Sequence, residues 1–248
     1  MIYLTGFHAI EEAIKSAGPG QHPGTLLMAK PGPRAKELAA LATARTIRVD
    51  RVGTHELDRL APGHRGIALT VDEGGARRTG TPADLAAFIA GLEDRKDALV
   101  AILDEITDPH NYGAILRSCD QFGVDMVLTR NRRTAKHAGI IAQTSAGAVS
   151  WVSAVEAANL PRAVRNLKDA GFWIYGADAA GEAAYSRDLT GRIALILGGE
   201  GSGISRLLKE SCDGLIRIPT HGRIDSLNVS VAAGILFYEA IRQRRGPR

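Results

Sequence analysis

The sequence predicts an α/β protein with a small N-terminal α/β domain and a larger C-terminal domain built around a parallel sheet. Short, almost continuously apolar runs such as Ala98–Leu103 and Ile193–Leu197 alternate with helical segments in the second part of the chain. This alternation is typical of parallel strands that helices cover on both faces. The glycine-rich, charged segment 72–81 is typical of a linker. We therefore expect domains over residues 1–71 and 82–248.

The N-terminal domain is predicted to alternate helices with short strands. The segment Phe7–Ala17 is amphipathic, with apolar residues at helical spacing at Ile10, Ala13, Ile14 and Ala17. Thr54 is a residue type that caps helices, and it opens a short helical segment that ends at Leu60. The other predicted elements are a helix over Arg34–Ala44 and strands over Thr25–Ala29, Thr46–Val49 and Ile67–Val71.

The C-terminal domain is predicted to begin with a helix that has Thr81 as its cap and Pro82 as its first residue. The last helix is expected over Asn228–Gln243, capped by Ser226 or Asn228. Its apolar face follows helical spacing at Val229, Ala233, Leu236, Phe237 and Ala240. The predicted strands are Ala98–Leu103, Met126–Leu128, Trp151–Ser153, Phe172–Tyr175, Ile193–Leu197 and Leu215–Ile218.

Composition and charge limit the classes of protein to which this chain can belong. The 248 residues are 45% hydrophobic and carry a net charge of +4, a mild basic excess that is compatible with a nucleic-acid partner. No apolar run approaches the ~18–20 residues of a membrane span, and polar residues interrupt any secretory signal. We therefore expect a cytoplasmic protein with no membrane contact.

The two cysteines and two arginine groups have limited predictive value. Cys119 and Cys212 are far apart, so they predict neither a zinc site nor a disulfide, no metal is expected, and Cys119 is expected to be buried. The arginine groups could face phosphates or form solvated surface. They comprise Arg130, Arg132, Arg133 and Lys136 in one stretch, and Arg242, Arg244, Arg245 and Arg248 in the other.

Three segments carry small polar or glycine residues where an apolar run meets a helix. They are DPHNYGAILRSC at 108–119, LILGGEGSGIS at 195–205 and IPTHGRIDSLNVSVAAG at 218–234. The N-terminal backbone N–H groups of such helices lack helical partners, so they are satisfied by a cap or by a ligand. Because three segments share this character, we interpret them as more than packing helices.

The glycine turn at 198–203 does not fit the common nucleotide-binding motifs. A dinucleotide fingerprint G-x-G-x-x-G that starts at Gly199 would need glycine where Ile204 stands. Gly198 and Gly203 have the spacing of a P-loop, but Ile204 replaces the lysine that pairs with the phosphates. An uncharged glycine bend instead favours a ligand without phosphate.

In this order and spacing, the three segments resemble the motifs of the SpoU (TrmH) family of RNA ribose 2′-O-methyltransferases, within the SPOUT superfamily. The resemblance runs from about Leu99 to Arg245, and the N-terminal stretches TGFHAIEEAIKSAG and HRGIAL resemble the RNA-binding domain of the family's ribosomal-RNA members. It is strongest to bacterial members that methylate a guanosine ribose in 23S rRNA. It implies a methyltransferase domain with a deep trefoil knot, a homodimer, and S-adenosylmethionine as cofactor.

The resemblance also implies which residues hold the cofactor and the RNA. S-adenosylmethionine would lie against Leu197, Gly198, Gly199, Ile218 and Leu227. Taken alone, Ile218 and Leu227 would be interpreted as core residues. Ser145, in the stretch QTSAGA, corresponds to a family position near the same cleft, although a small residue there could simply pack a helix.

The catalytic residues that the resemblance implies are Asn111, Arg117, Glu200, Ser226 and Asn228. Asn111 could alternatively cap its helix. Arg117 lies about 200° around the helix from Ile115, off the apolar stripe, so it can face a cleft. In the family this arginine is thought to assist deprotonation. Because guanidinium stays protonated in proteins, we expect Arg117 to bind phosphate and to stabilise a developing alkoxide instead.

Other functions remain open at this level. The chain could methylate tRNA riboses, although tRNA relatives often lack an N-terminal domain of this kind. It could also be a non-catalytic RNA-binding factor of ribosome assembly, against which the retained polar residues argue. A small-molecule α/β enzyme is less favoured, because the nucleotide fingerprints are missing and a separate N-terminal domain is present.

Overall fold

The computed structural model describes residues 2–16, 24–30, 32–71, 82–130, 137–150, 152–222 and 226–246. The predicted linker 72–81, including Thr81, lies outside these residues, as do Arg132 and Arg133. In chain order the helices and strands are β1 (Ile2–Thr5), α1 (Phe7–Ser16), β2 (Thr25–Met28), α2 (Pro33–Ala44), β3 (Arg48–Arg51), α3 (Thr54–Leu60), β4 (Ile67–Val71), α4 (Pro82–Ala90), β5 (Ala98–Asp104), α5 (Pro109–Gln121), β6 (Met126–Thr129), α6 (Ala138–Thr144), β7 (Ala154–Glu156), α7 (Leu160–Asp169), β8 (Trp173–Ala183), β9 (Arg192–Gly198), α8 (Arg206–Glu210), β10 (Gly214–Arg217) and α9 (Val229–Arg245).

The chain packs as two units, and the first comprises residues 2–71 together with 137–150. Its four-stranded sheet has the order β1-β4-β2-β3, with β2 and β3 parallel and β4 antiparallel to both of its neighbours. Helices α1 and α2 bury one apolar face of this sheet, and Ile10, Ile14 and Leu38 are almost fully buried there. An α/β arrangement was predicted for this part of the chain and is confirmed.

Three details of the first unit differ from the sequence-based expectations. Strand β1 was not predicted, because its four residues are too few to show an alternating pattern. Gly53 occupies the N-cap position of α3 and makes no side-chain cap, so the expected cap by Thr54 is wrong. Helix α6 packs on β1, and Ala142 lies in the apolar core of this unit, although the segment is distant in sequence.

The second unit comprises residues 82–130, 152–222 and 226–246 and contains the parallel sheet. Its six strands have the order β10-β8-β9-β5-β6-β7, and every neighbouring pair is parallel. The central strand β5 is buried along its whole length, as expected for a strand covered on both faces. The predicted fold class is therefore confirmed for this unit, whereas the trefoil knot stays a prediction.

Two strands of this sheet have other bounds than predicted. Strand β7 begins at Ala154, after the predicted Trp151–Ser153, because its register against β6 pairs Ala154 with Val127. Strand β8 extends to Ala183, well beyond the predicted Tyr175, because Glu182 and Ala183 at its end pair with β10. Pairing partners, and not local hydrophobicity, decide where these two strands lie.

The last helix, α9, confirms the predicted apolar face. The face is buried at each of the expected positions: Val229, Ala233, Leu236, Phe237 and Ala240. Helix α9 packs on α5, where a Cβ on Gly234 would lie in ordinary contact, 3.5 Å from Oγ of Ser118.

Both cysteines are free thiols in apolar surroundings. Cys119 is fully buried, as predicted, and burial raises the pKa of its thiol. Cys212 is partly buried, which raises its pKa to about 11. Neither thiol therefore carries the thiolate that nucleophilic chemistry requires at neutral pH.

Within the part of the chain that the structure describes, no helix combines the length and apolar character that crossing a membrane requires.

Candidate active site

The candidate site lies in the second unit, where strands β5 and β9 end side by side. Asp104 and Gly198, the last residues of the two strands, are paired in the sheet register. The carboxyl ends of parallel strands meet at one edge of a sheet, which is the usual place for a ligand in such folds. The turn after β9, the start of α5 and the start of α9 all reach this edge.

Asp108, and not Asn111, caps helix α5. Its carboxylate oxygens accept hydrogen bonds from the backbone N–H groups of His110 (3.3 Å) and Asn111 (3.2 Å). Pro109 follows as the first helical residue, a position at which its missing N–H costs nothing. The capping alternative for Asn111 is therefore wrong, and its side-chain amide is available for other contacts.

Asn228 caps helix α9, as predicted, and this role fixes the orientation of its amide. Its Oδ1 accepts hydrogen bonds from the backbone N–H groups of Ser230 (2.9 Å) and Val231 (3.4 Å) and from Oγ of Ser230 (2.6 Å). Because a backbone N–H can only donate, the Asn228 atom that faces the helix must be its carbonyl oxygen. Its NH2 group consequently points away from the helix.

That NH2 group joins Asn228, Asn111 and Glu200 into one hydrogen-bonded network. Nδ2 of Asn228 donates to Oδ1 of Asn111 and to Oε1 of Glu200, both at 2.9 Å. Since Oδ1 of Asn111 accepts, its own Nδ2 faces Glu200 and donates to the same Oε1 at 3.0 Å. The cap of α9 thus sets the direction of every bond, and Oε1 of Glu200 receives two amide donors.

The turn that carries Glu200 is closed by backbone against backbone. A Cβ on Gly198 would lie 2.1 Å from the carbonyl carbon of Gly203, and one on Gly199 would lie 2.7 Å from the carbonyl oxygen of Glu105. Gly199 and Gly203 also form an isolated bridge, with the N–H of Gly203 donating to the Gly199 carbonyl at 3.0 Å. Gly198 and Gly199 therefore allow backbone segments of this chain to pack closely against each other.

Gly198→Ala is expected to open this turn, because its Cβ meets backbone atoms that no side-chain rotation can move. Overpacking of this kind costs about 1–3 kcal/mol, and Glu200 would lose its position as well. We expect a lower unfolding temperature in calorimetry. Gly139→Ala is the matched control, since Gly139 lies in helix α6 and a Cβ at this position would meet no atom within 4 Å. Equal unfolding temperatures for the two variants would contradict the packing argument.

The sequence did not single out Asp104, although the structure places it directly beneath the turn. Its side chain is fully buried, and its Oδ2 accepts a hydrogen bond from the backbone N–H of Ser205 at 2.7 Å. Its Oδ1 is buried without a hydrogen-bond partner among the described residues. The signal available in the sequence was a carboxylate at the end of an otherwise apolar strand. The hydrogen bond that Asp104 accepts links β5 to Ser205, at the far end of the glycine turn.

A cavity of about 500 Å³ opens beside this network. Among the described residues that line it there is no Lys or Arg, while three are carboxylates. Such a lining disfavours a phosphate and favours a ligand that carries positive charge. The lining consists of Glu105, Ile106, Thr107, Asp108, Asn111, Glu200, Ser202 and Val229.

The residues predicted to contact the cofactor differ in their exposure. Leu197 is buried as the penultimate residue of β9, next to Gly198 and Gly199. Ile218 is partly buried just after β10. Leu227, next to the capping Asn228, is 37% exposed, which is unusual for a leucine and leaves its side chain available to a ligand. Ser226 is exposed one residue earlier.

Arg117 is not part of the network of this chain. It is exposed on α5, six residues beyond Asn111, and it makes no hydrogen bond or ion pair with the residues that the structure describes. Six residues correspond to about 9 Å along a helix and to a rotation of about 240°. Its side chain is therefore free to meet another molecule.

The remaining predicted residues make no hydrogen bond to Asn111, Glu200 or Asn228 among the described contacts. Ser145 belongs to the first unit, where it is buried; its Oγ donates to the carbonyl of Ala142 and accepts from the N–H of Val149, both at 3.3 Å. Arg130 is exposed directly after β6. Arg244 donates to the carbonyls of Ala98 and Gly191, so this member of the C-terminal arginine group is a structural residue.

Two family models match the chain, one over its N-terminal part and one over its C-terminal part. The SpoU rRNA Methylase family matches residues 98–238, which include the whole network. The family described as RNA 2'-O ribose methyltransferase substrate binding matches residues 3–74. A solved structure, the SpoU methyltransferase AviRb from Streptomyces viridochromogenes in complex with the cofactor AdoMet, has a TM-score of 0.77 and covers 99% of this chain and 91% of its own. At 24% identity it supports the fold alone.

Relatives extend over nearly the full chain. The 23S rRNA (guanosine-2'-O-)-methyltransferase RlmB of Xanthomonas campestris pv. campestris is 38% identical over 247 residues, which cover 98% of this chain and 97% of that protein. The Escherichia coli K12 protein of the same name is 37% identical and covers 98% of each chain. With a family model across the second unit and relatives at this identity, the chain belongs to the SpoU rRNA Methylase family.

Proposed function

We infer that this protein transfers a methyl group from S-adenosylmethionine to a ribose 2′-hydroxyl of RNA, with a guanosine of 23S rRNA as the preferred target. The network of Asn111, Glu200 and Asn228 beside the glycine turn carries this inference. Membership of the SpoU family and full-length relatives named 23S rRNA (guanosine-2'-O-)-methyltransferase support the substrate.

The cavity and its rim fit S-adenosylmethionine. When bound, this cofactor supplies an electrophilic methyl group on a positively charged sulfur. The carboxylates of Glu105, Asp108 and Glu200 line the cavity and suit that charge. The exposed Leu227 and the partly buried Ile218 offer apolar surface to an adenine, and Leu197, Gly198 and Gly199 offer backbone groups.

The chain's own residues then position the ribose. Asn111 and Asn228 hold Glu200 at the cavity, and Ser226 stands one residue before Leu227 at its rim. Arg117 binds a phosphate beside the target ribose, as a guanidinium does well. Arg130, Arg132 and Arg133 add positive charge after β6, and the first unit, which includes Ser145, recruits the RNA.

The protein acts as a homodimer, and one face of α9 supports this. Val231, Ile235 and Tyr238 are 51%, 41% and 55% exposed and recur at helical spacing, so they form an apolar stripe on the side opposite the core. Tyr238 extends the stripe to α5 by packing edge-on against Phe122. A second copy would cover this stripe and bring Arg117 of the partner subunit towards the cleft.

Ile235→Glu is expected to convert the dimer to a monomer, because a carboxylate in the middle of the stripe cannot be buried without a partner. Light scattering at micromolar concentration measures the mass. The control is Leu207→Glu, since Leu207 is 56% exposed on α8 and lies outside the stripe. A dimer mass in both variants would place the interface elsewhere.

Two measurements test the function itself. Mass mapping of 2′-O-methyl groups in rRNA and tRNA from a deletion strain identifies the target, and a missing methyl group in tRNA alone would favour the tRNA alternative. Calorimetric titration with S-adenosylmethionine separates an enzyme from a non-catalytic assembly factor, since the latter would give no binding heat. We place the reaction in the cytoplasm.

A further inference from the structure

We propose that Glu200 is the proton acceptor of the reaction and takes the proton of the ribose 2′-hydroxyl through its Oε2 atom. This inference rests on the proposed function. It assigns a specific step to a residue that the network otherwise only holds in place.

The network leaves one oxygen of Glu200 available. Oε1 accepts from Asn111 and Asn228, and both donors have their directions fixed by the cap of α9. Oε2 has no hydrogen-bond partner among the residues that the structure describes, and Glu200 lines the cavity. The carboxylate is therefore positioned by one oxygen and free to accept at the other.

The other carboxylates that line the cavity fit this role less well. Both oxygens of Asp108 already accept backbone N–H groups at the start of α5. The side chain of Glu105 makes no hydrogen bond with a described residue, so nothing holds it in one position, whereas Glu200 accepts two. Among the described lining residues there is no histidine. Glu200 alone combines a fixed position with a free oxygen.

Arg117 is a poor acceptor because of its chemistry. Its guanidinium has five N–H donors and no acceptor, and it stays protonated in proteins. Its charge suits a phosphate of the RNA instead.

An ordinary carboxylate is a sufficient base for this chemistry. The ribose oxygen forms a bond to the methyl carbon while the carbon–sulfur bond breaks, and the electron pair of that bond stays on sulfur as a neutral thioether. The attacking oxygen becomes positively charged as the new bond forms, so its proton becomes strongly acidic. That proton passes to Oε2 of Glu200. The reaction thus releases one proton for each positively charged sulfonium that becomes a neutral thioether.

Glu200→Gln is the sharpest test, because it keeps the shape and the network. The glutamine Oε1 still accepts from Asn111 and Asn228, while an NH2 group that cannot take a proton replaces Oε2. With 23S rRNA from the deletion strain, the single-turnover rate of methyl transfer is expected to fall by about 10²–10⁴. Calorimetric affinity for S-adenosylmethionine and the unfolding temperature should stay close to those of the wild type.

The matched control is Glu210→Gln, which removes an exposed carboxylate on α8 and should leave the rate unchanged. A Glu200→Gln rate within about fivefold of the wild type would overturn the assignment, since loss of general base catalysis costs more than that. If the wild type itself transfers no methyl group to any RNA, the proposed function fails as a whole. The two failures are therefore distinguishable.

A second variant keeps the test decisive if Glu200→Gln disturbs the site. Glu200→Ala leaves space for a small carboxylate, so added formate should raise the rate in proportion to its concentration. Sodium chloride at equal ionic strength serves as the control for salt effects on RNA binding. A rate that formate does not raise beyond chloride would assign Glu200 a structural role and overturn the proposal.

Discussion

Replacing Asn228 with aspartate is expected to keep helix α9 capped and yet to stop methyl transfer. The aspartate retains an oxygen for the N–H groups of Ser230 and Val231, so the cap contributes as before. Its second oxygen replaces the NH2 group that donates to Asn111 and Glu200. A carboxylate would then face the oxygen of another carboxylate at about 3 Å, which is strongly unfavourable. Glu200 must turn away, and we expect the rate to fall by about 10²–10³.

The measurement pairs calorimetric unfolding with single-turnover kinetics. Asn159→Asp is a matched control, because Asn159 caps α7 by accepting from the N–H of Arg162 and lies outside the network. It should retain both stability and activity. Asn228→Ala should lose the cap as well as the rate, with a cost of about 0.5–2 kcal/mol in stability. Full activity in Asn228→Asp would mean that the amide network does not matter for the reaction.

Arg117→Ala is expected to reduce methyl transfer by about 10²–10³ without changing the unfolding temperature. Stability should not change, because Arg117 is exposed and makes no hydrogen bond or ion pair with described residues. Affinity for S-adenosylmethionine should also stay unchanged, since the cavity beside Asn111 does not include this side chain. Lysine should restore little, because a point charge lacks the planar fork that binds phosphate.

Arg165→Ala provides the comparison, as Arg165 is likewise exposed on a helix of the second unit. Only the Arg117 variant should lose activity and show a smaller salt dependence of RNA binding, because one phosphate contact is lost. An active Arg117→Ala enzyme would remove this residue from the mechanism. A lysine variant as active as the wild type would show that charge alone suffices.

The sequence was most informative where a local rule decides the outcome. The apolar face of α9 and its cap by Asn228 follow from helical spacing and from the capping preference of asparagine, and both are confirmed. The parallel sheet follows from continuously apolar strands, of which β5 is the clearest. The helix and its cap depend on residues that are close in the chain, whereas the burial of β5 also depends on its pairing with β6 and β9.

The sequence was least informative where the outcome depends on distant partners. Asn111 and Glu200 are 89 residues apart, and nothing in either segment states that their side chains meet. Asp108, and not Asn111, caps α5 because it directly precedes Pro109, and proline is preferred as the first residue of a helix. The expectation that Asn111 could be the cap left this preference out. The contact of Gly198 with the cofactor stays a prediction, and the sequence does not show that the nearest atoms to its missing side chain belong to Gly203.

The discontinuity of the first unit has a consequence for biosynthesis. Helix α6 completes the core around Ala142, yet it is made after strands β5 and β6 of the second unit. The ribosome therefore releases the earlier strands β1–β4 well before the segment that covers part of their apolar surface. Until then that surface stays open to nascent-chain chaperones, and the N-terminal domain can reach its final stability only when about 150 residues have emerged.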